Sequence, residues 1–92
     1  MKIDFSQSII GPDGEDLGFH LGKVALSALN APPAKDVVLA LDMATRRGNL
    51  ALLVAGGGEH DISPEDSALI RSLLPNAWSP VVVARAAKLL EG

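Results

Sequence analysis

Residues 36–55, DVVLALDMATRRGNLALLVA, decide the fold, because they admit two readings. Read as one helix, they set Val37, Leu41, Ala44, Gly48, Ala51 and Ala55 along a ridge spaced by threes and fours. Small side chains on such a ridge let another helix approach closely. Read as two elements, Gly48 and Asn49 form a helix C-cap, and residues 50–54 become a short buried strand. Glycine inside a helix costs about 1 kcal/mol relative to alanine, which packing readily overrides. The long, kinked helix is therefore the favoured expectation, and Gly56, Gly57 and Gly58 stop it under either reading.

Towards the N-terminus the pattern is clearer. Leu21, Val24, Ala25, Ala28 and Leu29 fall at i, i+3, i+4, i+7 and i+8, the apolar stripe of a helix. Asn30-Ala31-Pro32-Pro33 ends it, since proline cannot continue a helix and disfavours it in the preceding residue. Residues 32–35 read as a linker too short to separate two domains. Upstream, Ile3, Phe5, Ile9 and Ile10 alternate imperfectly with polar neighbours, as short strands do. Gly11-Pro12-Asp13-Gly14 is a turn in which Pro presets φ, Asp bonds back to the backbone and Gly accepts positive φ. Residues 15–19 then return as a second strand.

Towards the C-terminus, Ser63-Pro64-Glu65-Asp66 is a helix start: Ser caps, Pro takes the first helical position and the acids face the helix dipole. Leu69, Ile70, Leu73 and Leu74 make its stripe, and Pro75 ends it. Ser79-Pro80 repeats the start, with Val82, Ala86, Leu89 and Leu90 as the next stripe and Arg85 and Lys88 opposite. The expected fold is mainly α: a small bundle of three to four helices with a short N-terminal β-hairpin or extended segment. One domain spans residues 1–92, with an arm at 1–19 and a helical body at 20–92.

Composition fits this outline. The 92 residues are 48% apolar, with eight Lys and Arg against eleven Asp and Glu, a net charge of −3. There is no cysteine, which excludes a disulfide framework, a zinc knuckle and thiol catalysis. No apolar run approaches the roughly 18 residues of a membrane span, and no basic-then-apolar signal pattern opens the chain.

Catalytic constellations are missing from the pattern. No serine sits in a Gly-x-Ser-x-Gly elbow, and only His20 and His60 offer an imidazole base. Glu59-His60-Asp61, with Glu65 or Asp66, is the densest ionisable cluster, and its expected form is a solvated loop rather than a metal site. Gly56-Gly57-Gly58 lacks the lysine of a phosphate loop and is followed by acids. Asp13-Gly14-Glu15-Asp16 lacks the ligand spacing of a calcium loop. No catalytic residue, cofactor, metal or small-molecule substrate is expected, and the chain is read as a non-enzyme.

Binding features are more specific. Arg46 and Arg47 form a basic pair suited to an acidic partner, although a solvated helix face is the commoner role of such a pair. Trp78, in a Pro-flanked loop, is either a partner hot spot or a side chain folded over the core, and Val81 is left on the exposed side of its helix. Residues 64–74 and 80–90 also make a helix pair that a DNA-binding regulator could use, with Arg85 and Lys88 as contacts. Scattered basic residues and the net charge of −3 weigh against it.

The order of these motifs resembles small, mostly uncharacterised proteins of tailed bacteriophages and prophages. The similarity runs through the Gly-Pro-Asp-Gly turn, the Leu-Gly-Lys-Val-Ala-Leu-Ser-Ala-Leu helix, Arg-Arg-Gly-Asn-Leu-Ala-Leu, and Ile62-Ser63-Pro64-Glu65-Asp66 to Ser79-Pro80-Val81-Val82-Val83-Ala84-Arg85-Ala86. It implies a bacterial or phage origin, cytoplasmic expression and a link to phage assembly or regulation, and it favours the continuous helix through Gly48. The expected function is a protein-interaction module, a prophage-encoded accessory or assembly factor acting through a protein partner or self-association. The DNA-binding regulator is the alternative.

Overall fold

Leu21, Val24, Ala25, Ala28 and Leu29 are all buried, so the stripe read from the sequence is the face around which the chain packs. The computed structural model describes residues 1–33 and 37–91. In order these form β1 (Lys2–Asp4), β2 (Ser8–Ile10), β3 (Asp16–His20), α1 (Leu21–Leu29), α2 (Leu41–Val54), β4 (Glu59–Asp61), α3 (Pro64–Leu73), a single 3-10 turn (Leu74–Asn76) and α4 (Pro80–Leu89). The described residues therefore make a small domain of four α-helices and two two-stranded antiparallel sheets. None of these helices is long and apolar enough to cross a membrane.

The expected hairpin is β2 with β3, paired antiparallel with an irregular register across the Gly11–Gly14 turn. Gly11 N–H donates to the Glu15 carbonyl at 2.7 Å and closes the turn. The first strand behaves differently. β1 pairs with β4, Ile3 lying opposite His60, so Glu59-His60-Asp61 is a strand and not the solvated loop expected from the sequence. The physical reason is the Gly57-Gly58 turn, where φ of 77° and 84° reverses the chain and delivers it alongside β1. Ser6 Oγ accepts from Gly58 N–H and Phe5 N–H donates to the Gly58 carbonyl, which ties the turn to the N-terminal arm. Ile3, Phe5 and Ile9 are buried, so the arm contributes to the same core as the helices.

The residues 36–55 question resolves as a helix from Leu41 to Val54, continuous through Gly48, with no strand at 50–54. Residues 37–40 lead into it in irregular conformation. The expected linker at 32–35 is described only as far as Pro33; Ala34, Lys35 and Asp36 lie outside the described residues.

The two C-terminal helices follow the reading closely. Ser63 caps α3, its Oγ accepting from Asp66 N–H at 3.1 Å, with Pro64 at the helix start. Ser79 occupies the corresponding position of α4 without a side-chain capping bond. Ile70, Leu74, Val82, Ala86 and Leu90 are buried between the helices. Ser67 is fully buried as well, and its hydroxyl donates to the Leu90 carbonyl at 2.6 Å, binding the end of α4 to α3. That bond satisfies both a buried hydroxyl and a helix-terminal carbonyl.

Candidate functional site

The helix α2 has two apolar faces, and only one of them is buried among the described residues. Arg47, Leu50, Ala51 and Val54, at i, i+3, i+4 and i+7, are buried. The opposite face carries Leu41 and Leu52, which are 84% and 79% exposed, with Thr45 and Gly48 between them also exposed. Leu53 on its flank is 48% exposed, and Val37 and Val38 just before the helix are 53% and 93% exposed. The ridge expected to receive a helix is therefore corrected: Leu41, Ala44 and Gly48 face solvent, and of that set Ala51 is the member fully buried. The helix is rotated this way because Arg47 has a reason to be inside.

Arg47 is 6% exposed. Its Nε–H donates to the Leu29 carbonyl and its second guanidinium nitrogen to the Ala31 carbonyl, both at 3.0 Å. The Leu29 carbonyl ends α1, where the helix dipole presents partial negative charge, and Ala31 lies just beyond it, so the guanidinium closes the helix C-terminus from a neighbouring element. Gly22 meets Val54 at the other end of the pair, which makes α1 and α2 antiparallel. Arg46, one residue away, points outward and pairs with Asp66 of α3 through contacts of 3.0 and 2.7 Å. The basic pair thus splits: Arg46 lies on the solvated face in an ion pair, and Arg47 is buried against the end of α1.

Trp78 is half-buried. Its indole Nε1–H donates to the Val24 carbonyl at 3.0 Å, and its ring stacks on Phe19 with centroids 5.0 Å apart. Both features belong to a side chain folded over the core, the second of the two readings open from the sequence. Val81 is 41% exposed on the outer side of α4. Arg85 and Lys88 line a groove of about 160 Å³ with Ser8, Ile10 and Leu89, so the two cations named for nucleic acid do lie together, beside aliphatic side chains. Nothing in the sequence brought Ile10 to that groove, since β2 reaches α4 only through the fold.

Chemistry elsewhere is constrained by hydrogen bonds already made. Ser8, Asp16 and His20 line one open depression with Ser6, Gly18 and Phe19. There the His20 Nδ1 accepts from Lys23 N–H at 3.2 Å as the cap of α1, which places the neutral ring's proton on Nε2. Asp16 Oδ1 accepts from Gly18 N–H. His60 Nε2 lies 2.9 Å from the Gly57 carbonyl, and along β4 its side chain alternates away from Glu59 and Asp61. Among the described residues no group of three His, Asp or Glu side chains is placed to hold a metal ion.

No protein-family model matches the chain, and no significantly similar curated protein or solved structure is found.

Proposed function

We propose that the chain is a non-enzymatic protein-interaction module whose contact surface is the outer face of α2 with residues 37–40. The observation that carries this reading is the exposure of Leu41 and Leu52, eleven residues and therefore about 16 Å apart along one helix face. Burying a leucine fully is worth about 1.5–3 kcal/mol, and the isolated domain forgoes this at both positions. Five of the eight large apolar side chains exposed among the described residues lie within 37–53, so the exposure is concentrated rather than scattered. Concentrated patches of this kind mark interaction surfaces.

The resemblance to prophage proteins supports an accessory or assembly role in the cytoplasm of a bacterial cell. The surface used by such a role moves from Trp78 and Arg47, which are engaged internally, to Leu41 and Leu52, with Arg46 at its edge and Val81 remote in sequence. The regulator alternative retains Arg85 and Lys88, but an aliphatic groove and a net charge of −3 oppose phosphate binding.

A photo-reactive side chain placed at position 52 in cells expressing the protein tests the reading. A discrete protein adduct from position 52, with none from position 65 on α3, is the expected result. No adduct from position 52, with nucleic acid captured from position 85, would replace it by the regulator.

A further inference from the structure

We propose that the occupant of this face is a second copy of the chain, its α2 packed antiparallel on α2 about a two-fold axis passing beside Arg46 and Arg47. This inference rests on the interaction reading and specifies its partner. A two-fold contact uses the same patch on both copies, so the patch must complement itself. The outer stripe of α2 meets that condition. With the axis midway along the helix, Leu41 of one copy lies opposite Leu52 of the other, and Thr45 lies opposite Gly48. Val38, in the segment that leads into the helix, extends the apolar strip beyond Leu41.

Gly48 is the hole at the centre. Among the described residues a Cβ built there meets nothing within 4 Å, and Thr45 of the second copy has the size to enter the space. Small central residues allow two helix axes to approach to about 8 Å. Charge is compatible as well. Positions 41, 44, 45, 48, 49 and 52 carry no ionised group. On the flank, Asp42 comes within a turn of the Asn49 amide of the second copy. The Arg46 guanidinium, which the axis brings near its own counterpart, already has Asp66 as counter-ion.

The area is sufficient. Val37, Val38, Leu41, Leu52 and Leu53 together expose on the order of 500 Å² of apolar surface. With the polar surface around these side chains, the face approaches the roughly 800 Å² per copy of a specific contact, of which about 57% is apolar. A different protein or a lipid surface meets the apolar requirement but not the self-complementary spacing.

Sedimentation equilibrium of the purified chain tests the proposal. The expected mass at about 100 µM is twice the 9.5 kDa of one copy. Leu52→Asp should leave the circular-dichroism spectrum unchanged and weaken pairing at least about 30-fold, as expected when a charge replaces a large apolar contact. Because the chain has no cysteine, T45C and G48C can be mixed and oxidised, and the mixed disulfide should form in preference to either like pair. A mass of 9.5 kDa at every concentration, or a dimer indifferent to Leu52→Asp, overturns the pairing. If the position-52 photo-adduct then contains another protein, the interaction reading stands with a different partner; if no adduct forms, both fall.

Discussion

Arg47→Ala is expected to lower the free energy of unfolding by about 3 kcal/mol, the largest effect expected from truncating a charged or polar side chain. The guanidinium donates to two carbonyls at the end of α1, and the Nε–H bond to Leu29 is buried. A hydrogen bond from a charged donor contributes about 1.5–3 kcal/mol, and a buried carbonyl left without its donor costs about 1–3 kcal/mol. Relief of the buried charge offsets part of that loss, while removal of the aliphatic stem adds to it. Arg46→Ala is the matched control. Its ion pair with Asp66 is 42% and 30% exposed at the two side chains, and such pairs contribute about 0–1 kcal/mol. Urea titration followed by Trp78 fluorescence separates the two, because the indole is bonded to Val24 on α1 and reports that helix directly. Equal effects of the two substitutions would mean that Arg47 is not holding the α1 terminus.

Gly22→Ala comes next, with an expected net loss of about 2–3 kcal/mol. Alanine normally stabilises a helix by up to about 1 kcal/mol over glycine. Here the new methyl would press on the Val54 carbonyl oxygen of α2 and lie 3.0 Å from two atoms of the His20 ring. The carbonyl belongs to backbone that also accepts from Gly57 N–H, so α1 and α2 must separate for the methyl to fit. The His20 ring is the cap of α1 and cannot swing away without losing Lys23 N–H. At a urea slope of about 1 kcal/mol/M, the midpoint should fall by about 2–3 M. Gly48→Ala gives the opposite sign: among the described residues its Cβ meets nothing within 4 Å, and at monomeric concentrations the variant should gain about 0.5–1 kcal/mol. A neutral Gly22→Ala would contradict the close approach of the two helices.

The contrast between these pairs explains what the sequence could and could not convey. The stripe of α1, the Ser63-Pro64 start and the Gly11–Gly14 turn are local, and each was legible because its causes lie within a few residues. The pairing of β1 with β4 joins residues almost sixty positions apart, and three short residues of Glu-His-Asp carry no strand signature of their own. The face of α2 was misread for a different reason. Arg47 interrupts the buried stripe of Leu50, Ala51 and Val54 with a charge, whereas Leu41, Ala44 and Gly48 form an uninterrupted apolar ridge. Periodicity favours the cleaner pattern, but the carbonyls that attract Arg47 belong to α1 and are invisible to it. The same misreading conceals the candidate surface, since a ridge assigned to the core is not sought outside. Trp78 was ambiguous because only the fold shows that Phe19 and Val24 lie beneath it.

The most direct measurement of the central claim is a methyl-resolved NMR concentration series, from about 20 µM to about 1 mM. Exchange between single and paired copies should shift or broaden the methyl signals of Val38, Leu41, Leu52 and Leu53 as concentration rises. The signals of Val24, Ile70 and Val81 should stay constant, the first two because they are buried in each copy and the third because α4 is not in the contact. Perturbations confined to the outer face of α2 are the result this structure predicts. Signals that are invariant at 41 and 52 throughout the series, or changes that instead centre on Val81, Arg85 and Lys88, would contradict it.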